Sequence, residues 1–368
     1  MKTLNEEVRI ILNQIASGDH PPINKDYFSW GRDKRHIVDD TETLASLPIE
    51  HKKNKLIREI KGLLKLVKAP KSPMKTFERY YGPFETTYQL MSNSTSKQLF
   101  VELIVMSLVG EKKMSLSSFT DDFIRDYELS SDVVLKAQSS LKVYKWILKQ
   151  VSILNPSISI YTTPIILALH KSNRLYRYQC HKEIVEVEKG DIIIDAGVGW
   201  GDTTVYLAAK AGKEGHSYAF DILKDGMNAL NAQLELNKEQ QNITPVLKAL
   251  SDTSGDKVYI SSPSPGARIE KKKTETAVYT ITIDDYVTVE KIDRVDFIKM
   301  DIEGAEISAI KGAETTIRTF KPKLAISVYH KWDDLLTIPT LIQDFRDDYK
   351  FYLDCTTGFG GEAVLYAK

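Results

Sequence analysis

Residues 191–204 constrain the fold of this chain more than any other part of the sequence. An acidic residue and three isoleucines lead into Asp195, and glycine then occupies every second position at Gly197, Gly199 and Gly201. Glycine lets a backbone turn sharply and approach a ligand, because no Cβ stands in the way. A helical stretch follows from about 203 to 211, and its first amide groups point at whatever the loop binds. The pattern predicts a nucleotide-type cofactor site at the carboxyl end of a first strand.

The spacing of the glycines separates two classes of cofactor. A dinucleotide fingerprint, Gly-x-Gly-x-x-Gly, requires glycine or alanine at position 202, where this chain has Asp202. An acidic side chain repels a pyrophosphate and attracts a sulfonium or an amino group. The loop is therefore interpreted as a site for S-adenosylmethionine, with a NAD site and a loop without a ligand as the alternatives.

Composition excludes several classes of partner. Lys+Arg and Asp+Glu number 50 each among 368 residues, and a chain without net charge is not expected to bind nucleic acid or an anionic membrane. Cys180 and Cys355 form neither a disulfide framework nor a zinc site and fit a reducing cytoplasm. We expect no signal peptide in residues 1–14. Neither apolar stretch, 99–109 or 151–169, is expected to span a bilayer, because the first is short and contains a glutamate and the second is interrupted by prolines.

The first half of the chain has a helical pattern. Residues 1–50 are rich in turn formers and are predicted to be irregular, whereas apolar residues recur every three or four positions within 51–150, including 97–109 and 130–151. The length of the chain favours two domains. We predict a mainly α-helical N-terminal region over residues 1–176 and a second domain over residues 177–368.

The second half alternates β-rich and helical runs, which predicts a parallel sheet with right-handed crossovers. The last two strands are joined by too few residues for a helix and should form an antiparallel hairpin. The prediction is an α/β fold with a seven-stranded, doubly wound, mostly parallel sheet of the class I methyltransferase type. A further extended run is expected at 278–284 and a flexible excursion at 261–273. Strands are predicted at 192–195, 216–221, 243–249, 295–300, 324–329, 351–354 and 363–367, and helices at 203–211, 224–238 and 303–318.

Polar residues at the ends of the second and third strands extend the cofactor site. Asp221 ends the second strand about twenty residues beyond the glycines, where a carboxylate accepts the two hydroxyls of a ribose. Leu250 and Ser251 follow the third strand, where an adenine would lie between an apolar cover and a polar edge. An ordinary strand-end turn explains Leu250 and Ser251 equally well.

The fourth and fifth strands end in acidic and basic groups. Asp301, Glu303 and Glu306 fall within six residues, and helix capping explains one carboxylate more easily than it explains Asp301. His330 leaves the fifth strand at the same edge of the sheet. A structural role for His330 is as well supported as a catalytic one.

These segments together resemble the FkbM family of S-adenosylmethionine-dependent methyltransferases. The resemblance covers about residues 177–368, and its order and spacing make it specific. Residues 96–97, ahead of an apolar helix, resemble a segment preceding the domain in some members. The motifs are Asp-Ala-Gly-Val-Gly-Trp-Gly-Asp-Thr-Thr at 195–204, Lys-Met-Asp-Ile-Glu-Gly-Ala-Glu at 299–306 with Gly-Ala at 312–313, Tyr-His-Lys-Trp-Asp-Asp at 329–334 with Ile-Pro at 338–339, and Glu-Ala-Val-Leu-Tyr-Ala at 362–367.

The resemblance implies an O-methyltransferase acting on a hydroxyl of a small molecule, a polyketide or a sugar. The methionine part of the cofactor would be held by Asp195, Gly197, Gly199, Gly201 and Thr203, and the ribose by Asp221, while Asp301, Glu303 and His330 would face the acceptor.

A base with a pKa near neutrality would activate the acceptor hydroxyl, and His330 fits that role best. A magnesium ion held by Asp301, Glu303 or Asp333 is a less favoured way to lower the pKa of the hydroxyl. An NAD-dependent oxidoreductase and a non-catalytic ligand-binding protein are the rival functions. The sequence does not give the acceptor or the oligomeric state.

Overall fold

The protein is described from a computed structural model, which covers residues 3–17, 77–110, 113–144, 146–261, 266–270, 273–357 and 361–368. The predicted helical pattern of residues 51–76 lies outside the described residues. The prediction that residues 1–50 are irregular is wrong at their start, because helix α1 spans Leu4–Ser17. Leu4 and Val8 form its buried face, one helical turn apart.

Helices α2 (Tyr81–Leu90), α3 (Ser94–Val109) and α4 (Asp121–Lys136) follow. From Leu99 to Val109, helix α3 is mostly apolar on every side and is buried between α1 and the sheet, as expected for a helix without a polar face. Its buried Glu102 accepts hydrogen bonds from the backbone N–H and the hydroxyl of Ser117 at 2.8 and 2.9 Å. Among the described residues, no helix combines the length and the apolar character that a membrane span requires.

The predicted helical pattern over 130–151 is wrong beyond residue 136. There the chain forms an antiparallel three-stranded sheet of β1 (Ser140–Val143), β2 (Trp146–Leu154) and β3 (Ser157–Thr162), followed by helix α5 (Pro164–Lys171). Isoleucine and valine are frequent in β2 and β3, and β-branched residues favour strands. We refer to β1–β3 as the N-terminal sheet.

The second half is an α/β fold whose central sheet contains all seven predicted strands. Its remaining elements, in chain order, are β4 (Tyr178–Cys180), β5 (Glu183–Val185), β6 (Ile192–Ala196), α6 (Asp202–Ala211), β7 (His216–Asp221), α7 (Lys224–Leu236), β8 (Ile243–Leu247), β9 (Ala249–Leu250), β10 (Lys257–Ile260), β11 (Ile269–Glu270), β12 (Ala277–Ile281), α8 (Ile283–Val289), β13 (Phe297–Met300), α9 (Glu306–Lys311), α10 (Glu314–Phe320), β14 (Lys323–Ser327), α11 (Asp334–Phe345), β15 (Phe351–Cys355) and β16 (Ala363–Ala367).

The strand order of the central sheet is β8-β7-β6-β13-β14-β16-β15. In the order of the predicted strands this is 3-2-1-4-5-7-6, whereas the dinucleotide-binding sheet runs 3-2-1-4-5-6. Neighbouring strands are parallel except β16, which lies antiparallel between β14 and β15. The predicted closing hairpin and the predicted fold class are therefore confirmed.

Both faces of the central sheet are covered, which explains why its strands are almost continuously apolar. Ile194 and Ile298 face a layer that includes α3 and α8–α11. Ile193 and Phe297, one residue earlier on the same strands, face a layer of α4–α7. Residues from the N-terminal half thus lie on both faces of the sheet. The domain boundary at residue 177 stays a prediction.

Three local predictions were wrong. Strand β8 ends at Leu247, and residues 249–250 belong to a separate sheet with β10–β12. The helix predicted at 303–318 begins only at Glu306, because residues 302–305 form a turn with Glu303 and Gly304 at positive φ, and a break at 312–313 divides it into α9 and α10. The described part of the predicted excursion at 261–273 includes β11, which pairs with β10.

Candidate functional site

A cavity of about 290 Å³ opens at the carboxyl ends of β6, β7 and β13. This is the edge at which open α/β sheets bind their ligands. The cavity has two chemically different parts. The glycine loop and Asp221 line one part, which we call the loop end, and carboxylates and tyrosines from four segments line the other, which we call the carboxylate end.

The loop end requires glycine at two positions. Gly197 has φ +91°, and a Cβ there would lie 1.9 Å from the carbonyl oxygen of Asp301. Gly201 has φ +78° and a Cβ there would lie 2.8 Å from the Cα of Leu230. Other residues are strained in this left-handed region, and no side chain fits in the space. The loop is consequently packed against the turn after β13 and against α7.

Asp195 lies beneath the loop and does not line the cavity. Its fully buried carboxylate accepts a hydrogen bond from the Thr204 hydroxyl at 2.6 Å and lies 3.1 Å from Nζ of Lys299. The same ammonium donates to the carbonyl oxygens of Ala196 and Gly197. Asp195 and Lys299 therefore fix the backbone from which the glycine loop begins.

Asp221 lines the cavity beside the glycine loop. Its oxygens accept hydrogen bonds from the N–H groups of Gly199 at 3.0 Å and Leu223 at 2.8 Å. Burial raises the pKa of Asp221 above its ordinary value, and these backbone donors oppose the shift. Each carboxylate oxygen has a second lone pair. The side chain is thus fixed in orientation and can still accept a ligand hydroxyl.

The other predicted cofactor residues divide into two groups. Gly199, Thr203 and Leu250 line the cavity, as Gly197 does. Gly201 and Ser251 are not among its lining residues, and the Ser251 hydroxyl instead donates to Asp252 at 3.2 Å. The expectation that Ser251 meets an adenine edge rested on a continuous third strand, which ends at Leu247.

Asp202 also differs from its expected behaviour. Its side chain is buried, and its two oxygens accept hydrogen bonds from the Thr162 hydroxyl at 2.6 Å and the N–H of Thr203 at 2.9 Å. Burial raises the pKa of Asp202. The carboxylate therefore joins the N-terminal sheet to helix α6, and attraction of a cationic ligand is not needed to explain it.

At the carboxylate end, Asp301 is surrounded by donors. Tyr176 donates to it at 2.8 Å and Tyr329 at 3.2 Å. Burial opposes its ionisation, but the charges of Lys299 and His330 together with the two hydroxyls hold the pKa of Asp301 below its ordinary value. Asp301 is thus a permanent anion that fixes two tyrosines at the cavity wall.

The His330 side chain, only 3% exposed, lies behind this wall and does not line the cavity. Its Nδ1 lies 2.8 Å from Glu306 Oε1, and its Nε2 lies 3.4 Å from Asp301 and 3.8 Å from Glu303. Burial alone would lower its pKa, but the three carboxylates raise the pKa of His330 to about 9. This value contradicts the expectation that His330 titrates near neutrality, because three carboxylates stabilise its charged form.

Glu303 and Glu362 complete the carboxylate end, both at positive φ. Glu303 lies 3.7 Å from Nη2 of Arg268, and burial raises its pKa. Glu362 is open to the cavity and makes no ion pair with a described residue. Although Glu362 is exposed to the cavity, desolvation by the surrounding wall, followed by repulsion from Asp301, raises the pKa of Glu362 to about 7.

A divalent cation fits this arrangement poorly. Within the described ranges, Asp301, Glu306 and His330 each place one ligand atom within 4.8 Å of the others. However, Asp301 already accepts two tyrosine hydroxyls, and Glu306 Oε1 accepts a hydrogen bond from the N–H of Ile302 at 2.9 Å. Asp333, the third ligand considered, is absent from the cavity lining.

The fold brings together seven of the predicted site residues, and sequence reasoning missed several of their neighbours. Lysine inside the apolar strand Phe297–Met300 was a usable signal for Lys299, since a buried ammonium requires partners. Glu362 was noted only as part of a motif. Tyr329 was likewise noted only as part of its motif. Tyr144 and Tyr176 gave no local signal, because they lie outside the motifs and far apart in the chain. The cavity-lining predicted residues are Gly197, Gly199, Thr203, Asp221, Leu250, Asp301 and Glu303.

Comparison with known proteins identifies the domain. Residues 187–350 match the model of the methyltransferase FkbM domain. The hexuronic acid methyltransferase AglP of Haloferax volcanii is 25% identical over 136 residues, which are 36% of this chain and 54% of AglP. The chain thus spans about half the length of that curated relative.

A solved structure shows the same fold. Methyltransferase FkbM from Methylobacillus flagellatus KT matches with a TM-score of 0.51 and 18% identity, over 80% of this chain and 60% of that one. At this identity the likeness concerns the fold alone. The motifs at 195–204, 299–306 and 329–334 all lie within the segment, residues 187–350, that matches the methyltransferase FkbM domain.

Proposed function

We propose that this protein transfers a methyl group from S-adenosylmethionine to a hydroxyl of a small molecule, a polyketide or a sugar. The observation that carries the proposal is one cavity with the glycine loop and Asp221 at one end and Asp301, Glu303 and Glu362 at the other. The cofactor residues are suited to a nucleoside, since Asp221 retains acceptor capacity and the glycine loop leaves backbone exposed. The family match supports the reaction class.

The NAD-dependent alternative has less support. A dinucleotide loop needs a small residue at 202, where the buried Asp202 is committed to Thr162. The strand order with an antiparallel β16 also differs from the dinucleotide-binding order. A non-catalytic binding protein would not require Glu362 and Glu303, two non-glycine residues at positive φ, to face the cavity.

S-adenosylmethionine supplies the methyl group of its sulfonium. The acceptor oxygen forms a bond to the methyl carbon as the carbon–sulfur bond breaks. The chain contributes position and proton transfer. We assign proton acceptance to Glu362 and not to His330, which is already protonated and lies behind the wall. The protonated His330 instead stabilises the carboxylate of Asp301, which in turn fixes the hydroxyls of Tyr176 and Tyr329. Asp301 and Glu303 face the acceptor as hydrogen-bond acceptors.

The charge of the carboxylate end favours a neutral acceptor. Three carboxylates line it. Lys299 and His330 compensate the charge of Asp301 and Arg268 approaches Glu303, so Glu362 is the carboxylate without a cation among the described residues. A negatively charged acceptor would meet repulsion there, whereas sugar hydroxyls would donate hydrogen bonds to the carboxylates. AglP is named for a hexuronic acid. For this chain we propose a hydroxyl acceptor, with a neutral sugar preferred over a uronic acid.

Calorimetry with S-adenosylhomocysteine, with NADH as the comparison, tests the cofactor. We expect binding of S-adenosylhomocysteine only, weakened at least tenfold by Asp221→Ala because charge-assisted hydrogen bonds to the ribose are lost. Transfer of a labelled methyl group to methyl glucoside, glucuronic acid and a phenol then tests the acceptor class. Uptake of NADH with no response to S-adenosylhomocysteine would refute the proposal.

A further inference from the structure

Among the described residues, the N-terminal sheet contributes one residue, Tyr144, to the loop end of the cavity. Tyr144 lies in the turn between β1 and β2, with φ +54°, a conformation that is costly for a bulky side chain. The sheet packs on α6 and α7, and Gln233 of α7 bonds both backbone groups of Tyr161 in β3. This docking holds the Tyr144 turn against the loop end.

The hydroxyl of Tyr144 has no hydrogen-bond partner in the part of the chain that the structure describes. Its oxygen is shielded from solvent and makes no hydrogen bond with any described residue, although Tyr144 lines the cavity. A buried tyrosine hydroxyl normally has a partner, and an unsatisfied one is costly. The ring is held by two apolar clusters, one including Leu223 and Ala249 and the other Leu148 and Ala229. The side chain is therefore held in place by packing, and its polar end is unexplained.

The surroundings of the hydroxyl indicate what would satisfy it. Burial, and after it the charges of Asp221 and Asp225, raise the pKa of Tyr144 well above its ordinary value. The phenol is thus a neutral donor and acceptor next to the carboxylate assigned to a ribose. Ile222, Leu223 and Leu250 complete an apolar wall at this end, as a nucleoside requires.

We propose that Tyr144 is a cofactor-binding residue, whose hydroxyl forms a hydrogen bond with a ribose hydroxyl of the S-adenosyl group beside Asp221. The inference rests on the proposed function. It gives the N-terminal sheet a part in cofactor binding, which the comparisons do not assign, since the family match begins at residue 187.

The test is calorimetry of wild type and Tyr144→Phe with S-adenosylhomocysteine and with its 2′-deoxy and 3′-deoxy analogues. Loss of one hydrogen bond should raise the Kd for S-adenosylhomocysteine two- to tenfold, about the value of a single such bond. The penalty should disappear for the analogue that lacks the bonded hydroxyl. Tyr144→Met, which also removes the hydroxyl, gives the same readout if the phenylalanine variant does not fold.

Tyr161→Phe is the matched control, because its hydroxyl lies 3.4 Å from that of Ser139 in an exposed contact and Tyr161 does not line the cavity. It should bind all three ligands as wild type does. An unchanged Kd for Tyr144→Phe, or an equal penalty with all three ligands, would overturn the inference. Failure of wild type to bind S-adenosylhomocysteine would instead refute the proposed function.

Discussion

The three carboxylates of the carboxylate end differ in their partners, and the difference separates their chemistry. Asp301 accepts two tyrosine hydroxyls and lies near two cations, and Glu303 lies near Arg268. Glu362 makes no ion pair with a described residue and is open to the cavity. A proton acceptor must be accessible and must titrate near the working pH. Among these three carboxylates, Glu362 meets both conditions.

We predict that Glu362→Gln lowers kcat about 10²- to 10⁴-fold, the usual contribution of a general base, with the Kd for S-adenosylhomocysteine unchanged. In wild type the active form is the carboxylate, so kcat should rise with pH up to a plateau above the pKa of about 7. The groups facing Glu362 are Asp301, Glu303, His330 and Tyr329, and His330 stays protonated until about pH 9. Stopped assays from pH 5 to 8.5 with labelled methyl donor measure both effects.

Glu303→Gln is the matched control, since it removes a neighbouring carboxylate of the same length. It should retain the rise of kcat through neutral pH, shifted to lower pH because Glu303 raises the pKa of Glu362. A Glu362→Gln enzyme with an unaltered pH profile would exclude Glu362 as the proton acceptor.

At the level of single residues, the sequence predicted correctly which residues reach the cavity when they follow a strand within a motif. It did not predict the roles of residues whose partners are distant in sequence. Asp221 and Asp301 line the cavity because strand ends in a parallel sheet share one edge. The sequence placed His330 at that edge but could not show that Glu306 lies 2.8 Å from its ring. The role of a titratable group depends on such partners.

The element that most restricts the site is the glycine loop between β6 and α6. It packs against the turn after β13, so a change in the loop is transmitted to the residues around Asp301. Lys299 ties the carbonyl oxygens of this loop to Asp195. The glycine loop therefore couples the loop end of the cavity to the carboxylate end.

We predict that Gly197→Ala strongly destabilises the fold and abolishes binding of S-adenosylhomocysteine, because its Cβ would lie 1.9 Å from a backbone oxygen. Gly199→Ala is the comparison, since Gly199 has φ +58° with no atom within 4 Å of a Cβ. Its cost should be about 1–2 kcal/mol, that of the left-handed conformation alone. Thermal unfolding and calorimetry measure both variants. Equal unfolding temperatures would show that the packing of the loop does not constrain Gly197.

Elements were predicted well where a periodic pattern coincided with burial. All seven strands of the central sheet were predicted, since each is a short β-rich run between turns or helical runs. The N-terminal sheet was not predicted, because the apolar spacing over 130–151 also fits a helix and strand pairing is not a local property. The break between α9 and α10 was missed for a similar reason. Gly312 packs against the carbonyl of Ser251, a contact far away in sequence.

At the scale of the whole molecule, residues before the family match complete the cavity. Tyr144 and Tyr176 line it, and Arg174 pairs with Asp354 at 2.5 Å and donates to the Ser118 carbonyl at 3.0 Å. Two residues hold the N-terminal sheet in place, Gln233 of α7 and Asn237, which is the C-cap of α7. Gln233 also donates to the Trp200 carbonyl in the glycine loop at 3.0 Å, whereas the Asn237 side chain bonds, among the described residues, the backbone of Ser159 and the carbonyl of Gln233.

This difference gives a prediction about how the N-terminal sheet affects the cofactor site. Gln233→Ala and Asn237→Ala should each lower the free energy of unfolding by about 1–3 kcal/mol, since each leaves backbone groups of β3 without a partner. Only Gln233→Ala should also weaken S-adenosylhomocysteine binding severalfold, because it releases the glycine loop at Trp200 and the sheet that holds Tyr144. Calorimetry below the unfolding temperature of both variants separates the two effects. Equal loss of affinity would mean that docking acts on the cofactor through overall stability, and unchanged affinity in both would mean that the glycine loop keeps its shape without the N-terminal sheet.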